Sequence, residues 1–106
     1  MIREVPAQAG GAFNGDGFVP PLSLQSGQAT SGRRTIEGNK AVGGVPNSRH
    51  LTGQAMDYWG KDLNAVLAEA RNIPGIRKAF IHKGHVHTEG DGWNAPYYGR
   101  NGTKGR

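Results

Sequence analysis

Two short stretches of this chain concentrate side chains that bind cations or move protons. The first runs Ser48-Arg49-His50-Leu51-Thr52-Gly53-Gln54-Ala55-Met56-Asp57. An imidazole and a carboxylate seven residues apart are two good ligands for a divalent metal. Gly53 between them permits a bend that brings the two ends together. Ala55-Met56-Asp57-Tyr58-Trp59 alternates small or polar with apolar residues. That suits a buried strand edge, with Asp57 turned into a site rather than into solvent. The bland alternative is a surface turn with a solvated Asp57 and a lone His50.

The second stretch is His85-Val86-His87-Thr88-Glu89. In a strand, residues two apart face the same way, so His85, His87 and Glu89 share one side while Val86 and Thr88 share the other. Two imidazoles and a carboxylate in a row are costly to bury without a metal or hydrogen bonds. The alternative is a solvent-facing polar strand of a half-buried sheet. Taken together, the two stretches hold three of the four histidines and two acids, which favours a metal site.

Other elements must hold these stretches in place. Lys61–Asn72 is the one clear helix, with Leu63, Val66, Leu67 and Ala70 recurring at i, i+3, i+4 and i+7. Gly60 precedes it and Asn72-Ile73-Pro74-Gly75 ends it. Residues 76–89 form two strands around a tight Lys83-Gly84 turn, Ala79-Phe80-Ile81 leading in and His85 to Glu89 leading out. Residues 1–29 are rich in Gly, Ala, Ser, Gln and Pro and suggest a flexible N-terminal arm. Phe13, Phe18, Val19 and Leu22 are available to pin part of it onto a body formed by residues 30–106. The expected fold class is α+β: a small antiparallel sheet with one main helix on one face and a metal cleft on the other.

Composition bounds the chemistry. The 106 residues suffice for one domain. Hydrophobic residues are 35%, so the core is modest, and 18 Gly and 6 Pro assign much of the backbone to turns and loops. Small domains commonly draw support from metals, disulfides or oligomerisation. The absence of cysteine excludes disulfides and thiolate zinc sites, leaving His and carboxylates as ligands. The net charge of +5 draws the chain to polyanions such as nucleic acid, anionic lipid or the acidic bacterial envelope. No run is long and apolar enough for a transmembrane helix, and Met1-Ile2-Arg3-Glu4 opens no evident signal peptide.

The first stretch also resembles a known signature. Ser48-x-His50-x-x-Gly53-x-Ala55-x-Asp57 is similar to that of the D-alanyl-D-alanine carboxypeptidase and L-alanyl-D-glutamate endopeptidase family of zinc peptidases, whose fold hedgehog signalling domains share. Upstream, Ser31-Gly32-Arg33-Arg34-Thr35, Asn39 and Val42-Gly43-Gly44-Val45-Pro46-Asn47 resemble the block that precedes it in the family. The family's last strand carries His-x-His or His-x-Asp with a downstream Trp, which resembles His85 to Glu89 followed by Trp93. The resemblance is close over about residues 30–60, looser over 76–93, and does not cover 1–29.

The resemblance implies Zn2+ held by His50, Asp57 and His87, with a fourth position left for water and His85 beside the metal. Arg34 matches an Arg expected to bind the substrate carbonyl or carboxylate, which suits a guanidinium fork. Its alternative is a plain surface charge. Ser48 either hydrogen-bonds substrate or orients the His50 loop. In much of the family an acid stands three residues before the last ligand His, where this chain has Gly84. The proton work then falls to His85 and Glu89 jointly, with Asp91 in the Gly90-Asp91-Gly92 turn as a further candidate. Glu89 has the alternative of a structural hydrogen bond to a loop.

The function so implied is a zinc metallopeptidase, carboxypeptidase or endopeptidase, that hydrolyses the peptide stem of peptidoglycan in the manner of a phage or prophage lysis protein (an endolysin). It would be made in the cytoplasm and reach the cell wall by release or other delivery. The competing reading is a non-catalytic zinc-binding module of the same fold, acting as a virion or cell-wall component. A nucleic-acid-binding protein, suggested by the charge and by Tyr97, Tyr98, Arg100, Lys104 and Arg106, is a weaker reading, and no specific nucleic-acid partner is expected. The bond cut and the oligomeric state are not legible.

Overall fold

Side chains two apart on a strand share a face, so Met56 with Tyr58, and Val86 with Thr88, dictate two apolar rows. A computed structural model, which describes residues 11–14, 17–99 and 102, brings these rows together. In chain order its elements are β1 (Ala12–Asn14), β2 (Gly17–Val19), β3 (Gln28–Ser31), α1 (Ile36–Ala41), a 3-10 turn (Arg49–Thr52), β4 (Ala55–Trp59), α2 (Leu63–Ala70), β5 (Ile76–His82) and β6 (His85–Gly90). Strands β1 and β2 pair with each other. The other four form an antiparallel sheet in the order β3-β4-β6-β5. The fold is α+β.

One face of that sheet carries the core. Met56, Tyr58 and Val86 are fully buried, and Val66 and Ala70 of α2 pack on them with Ile73. Each aliphatic side chain so buried contributes roughly 1.5–3 kcal/mol. Helix α2 is shorter than the expected 61–72 because Asp62 serves as its cap rather than its first turn. The Asp62 Oδ1 accepts from the Asn64 and Ala65 amides at 3.0 and 3.3 Å, which holds Asp62 itself in extended backbone. With α2 covering one face, Asp57, His85, His87 and Glu89 are left on the other.

Three features differ from the sequence reading. Strand β4 lies inside the sheet, between β3 and β6, and not at an edge. A helix, α1, forms where none was expected, its first turn closed by the Thr35 hydroxyl accepting from the Gly38 amide at 2.9 Å. Residues 17–29 belong to the body instead of to an arm, with Phe18, Leu24 and Ala29 in the core. The Phe18 amide donates to the Gly92 carbonyl and its carbonyl accepts from the Asn94 amide (2.9 and 2.7 Å). The amides of Gln25 and Ser26 and the Ser26 hydroxyl converge on the Glu69 carboxylate at 2.7–2.9 Å, and the buried Tyr58 hydroxyl donates to the Pro21 carbonyl at 2.6 Å. Together these contacts offset the ordering entropy of a Gly-rich segment. Leu22 stays 41% exposed, while residues 1–10 of the expected arm and the Phe13 side chain lie outside the described residues.

The Lys83-Gly84 turn forms as expected. Both residues have positive φ, 47° and 80°, as a two-residue hairpin loop of the mirror-image type requires. It pairs His82 with His85 and so places Phe80 opposite His87.

Candidate metal centre

The site is built on one rung of the sheet. Ser31, Asp57, His87 and Phe80 are successive cross-strand partners on β3, β4, β6 and β5. Asp57 and His87 therefore rise side by side from the face opposite α2. His50 arrives from the 3-10 turn. Ser48 starts that turn, its hydroxyl accepting from the His50 amide at 3.2 Å. Gly53 ends it at φ 80°, a left-handed conformation that reverses the chain into β4 within two residues. The sequence expectation for Gly53 rests on the same physics.

The geometry of the three side chains is that of a cation site. One ligand atom from each of His50, Asp57 and His87 lies within 4.8 Å of the other two. The Asp57 Oδ1 is 3.3 Å from His50 Nε2 and 3.0 Å from His87 Nδ1. Atoms bound tetrahedrally at zinc distances lie about 3.3–3.6 Å apart. His50 supplies a test of fit that does not depend on those distances. Its Nδ1 donates to the Gly32 carbonyl at 2.7 Å, which leaves Nε2 as the ring nitrogen available to a cation. That Nε2 is buried without a hydrogen-bond partner and faces a carboxylate oxygen. A buried ring nitrogen without a hydrogen bond, facing a carboxylate oxygen, is satisfied by a cation between them, so the residues present fit a zinc ion.

Charge in the site converges on Asp57. His85 Nε2 also reaches Oδ1, at 3.5 Å, and Arg34 Nη2 lies 3.4 Å from Oδ2. Burial alone would raise the Asp57 pKa. The hydrogen bond from His87 and the nearness of the His50 and His85 rings reverse this and hold it well below the usual carboxylate range. His87 sits between two carboxylates, its Nε2 2.9 Å from Glu89 Oε2. Burial pulls its pKa down, but Asp57 and Glu89 outweigh burial and raise it. A proton on His87 thus occupies the place that a metal would take.

Glu89 orients that ring and is itself held by Arg49, whose Nε lies 3.3 Å from Oε1. A carboxylate behind a ligand histidine fixes its tautomer and raises its basicity. Glu89→Gln is therefore expected to weaken zinc binding about 10–100-fold with the fold retained, measured by competition with a chromogenic chelator. An unchanged zinc affinity would remove Glu89 from this role.

These groups line a cleft of about 530 Å³, a size that suits a small-molecule or short-peptide ligand. Arg34, Ser48, His50, Asp57, His85 and His87 all face it. The structure thus gathers every sequence-derived candidate except two acids. Glu89 stands behind His87, and Asp91 is drawn off to Arg77 at 3.5 Å with its side chain 72% exposed. Adjacent arginines have different fates: Arg33 is tied to Asn94 Oδ1 at 2.6 Å and stacks over Tyr97, while Arg34 enters the site. Gly84 stands in the hairpin turn at φ 80°, a left-handed backbone that side-chain-bearing residues rarely adopt.

Sequence reasoning missed the cleft walls, formed by Val42 to Val45 on one side and Phe80, His82 and Lys83 on the other. A signal for Phe80 was present. A two-residue turn at 83–84 pairs 82 with 85 and hence 80 with 87, and the Phe80 ring does pack 5.2 Å from that of His87.

Residues 26–89 match a family model described as Peptidase M15, more than half of the 106 residues. The match runs from just before β3 almost to the end of β6 and contains His50, Asp57 and His87. The chain belongs to the M15 family of zinc peptidases, which includes D-Ala-D-Ala carboxypeptidase-like members. No curated protein and no solved structure matches it.

Proposed function

We propose that this chain is a zinc metallopeptidase that hydrolyses peptide bonds in the peptidoglycan stem, as a carboxypeptidase or endopeptidase of the phage or prophage lysis kind. The observation that carries the reading is the His50–Asp57–His87 cluster, with its buried, unpartnered His50 nitrogen, in a family of zinc peptidases. His50, Asp57 and His87 would hold the ion, which when bound supplies an activated water and charge relief for a tetrahedral oxyanion. The protein's own groups do the rest. His85 lines the cleft against Asp57 and is placed to take and return the proton. Glu89, bonded to His87 and Arg49, supports it by keeping His87 oriented. Arg34 presents a guanidinium edge for a substrate carbonyl or carboxylate. Ser48 holds the His50 turn and borders the cleft, within reach of a bound peptide. The net charge of +5 would concentrate the enzyme among anionic wall polymers.

One observation favours the second reading, a non-catalytic zinc module of a virion or cell wall. The position where the resemblance leads one to expect an acid is Gly84, which has no side chain to move a proton. The deciding experiment is digestion of purified peptidoglycan by the zinc-loaded protein, read by mass spectrometry of released muropeptides. New peptide termini that require zinc support the peptidase and identify the bond. One equivalent of bound zinc with no released product supports the module. Among the described residues no helix is long and apolar enough to cross a membrane.

A further inference from the structure

Asn39 is a polar side chain, 3% exposed, that no step above uses. It stands in the last turn of α1 and joins two parts of the site. Its Oδ1 accepts from Arg34 Nη1 at 3.3 Å, while its Nδ2 donates to the Val45 carbonyl at 2.8 Å. Its backbone carbonyl accepts from the Gly44 amide, also at 2.8 Å. The fit against the 42–45 wall is tight, since a Cβ on Gly44 would lie 2.1 Å from Asn39 Oδ1.

Arg34 depends on this contact. Its Nε is buried without a hydrogen-bond partner, so the guanidinium is steered by its two Nη atoms, one on Asn39 and one on Asp57. We propose that Asn39 is a positioning residue that locks the Arg34 guanidinium toward Asp57 and the cleft and fixes the facing Val42–Val45 wall against it. Arg34 and the wall bound the space a peptide would fill, so Asn39 sets ground-state binding and leaves the metal ligands untouched. This rests on the peptidase reading only for its kinetic consequence.

The test is Asn39→Ala beside Asn39→Asp and Gly44→Ala, each as the full chain. Asn39→Asp keeps the acceptor for Arg34 but loses the donor to Val45. Gly44→Ala keeps the Asn39 side chain chemically intact but forces it to shift, because the added Cβ would lie 2.1 Å from its Oδ1. Expected for Asn39→Ala are zinc affinity within about threefold of wild type, a KM for the stem peptide raised about tenfold and kcat nearly unchanged, the signature of lost uniform binding. Nitrogen-15 NMR of the arginine side chains, which needs no turnover, should show a slowly rotating Arg34 guanidinium in the wild type and in Asn39→Asp, and a freely rotating one in Asn39→Ala. Gly44→Ala should reproduce the rise in KM.

Arg34 signals unchanged in Asn39→Ala, or freely rotating in Asn39→Asp, overturn the proposal. So does a loss of kcat in step with melting temperature at constant KM, which marks a merely structural role. Should Asn39→Ala not fold, Asn39→Asp and Gly44→Ala decide by the same readouts. A wild type that hydrolyses no wall peptide defeats the peptidase reading, and the NMR result then decides the role of Asn39 by itself.

Discussion

Asp57→Asn is expected to abolish zinc retention and reduce zinc-dependent hydrolysis at least about 1000-fold, ~4 kcal/mol of transition-state stabilisation. The effect is large because one buried carboxylate serves four partners. Oδ1 is shared among His50, His85 and His87, and Oδ2 faces Arg34. An amide keeps the shape but removes the charge and replaces one acceptor with a donor. That leaves the half-buried Arg34 guanidinium without its anion, and removing one partner of a buried pair costs about 3 kcal/mol or more. Metal content by mass spectrometry and urea unfolding of the metal-free protein measure the two effects separately. Full zinc occupancy at wild-type affinity in Asp57→Asn would show that the cluster is not the metal site.

Zinc is expected to stabilise the protein strongly at pH 7.5 and much less at pH 5. The signs follow from the two displaced pKa values. His87 is raised above 6.5 in the folded metal-free chain. Its pairing therefore stabilises fully below 6.5 and is lost as pH rises through the folded value. Asp57 is depressed below 3.8, so its contribution is present above that value and lost as pH falls through its folded value. The metal-free chain is thus most stable between about pH 4 and 6.5. Zinc must displace the His87 proton, so its affinity falls about tenfold per pH unit for each proton displaced. At about 1000 times its Kd, zinc contributes ~4 kcal/mol. In a domain of this size that corresponds to a rise of about 15 °C or more in melting temperature. Calorimetry with zinc or with a chelator at both pH values measures this. A gain from zinc as large at pH 5 as at pH 7.5 would refute the competition between proton and metal at His87.

Much of the chemistry was legible before any folding. The period-two row His85, His87, Glu89 has one geometric consequence in a strand, so its shared face followed from local rules. Gly53 and the Lys83-Gly84 pair mark backbone reversals that few other residues accept. The spacing of Leu63, Val66, Leu67 and Ala70 located α2 to within two residues at each end, the difference being a cap that sequence alone does not separate from a first turn. With Ser48 to Asp57 resembling a zinc-peptidase signature, these features were enough to name the three side chains that the fold gathers into one candidate cation site.

Other features depended on contacts between residues far apart in the chain, which local periodicity does not carry. Residues 17–29 look like a linker by composition, yet Phe18 and Leu24 find a core made by β4, β6 and α2, and Glu69, more than forty residues on, accepts from the Gln25 and Ser26 amides. Arg33 and Arg34 are chemically identical neighbours. Asn94 and Tyr97 hold the first, and Asp57 and Asn39 draw in the second. Asp91 and Glu89 are two residues apart, but β6 ends at Gly90, so Glu89 keeps the strand face behind His87 while Asp91 turns away to Arg77. The sequence by itself determined which groups can grip a cation and which strand face presents them. The tertiary structure decided which of them share one carboxylate oxygen and what walls surround it, because a chain's long-range pairings place side chains that no local rule can bring within a few ångströms.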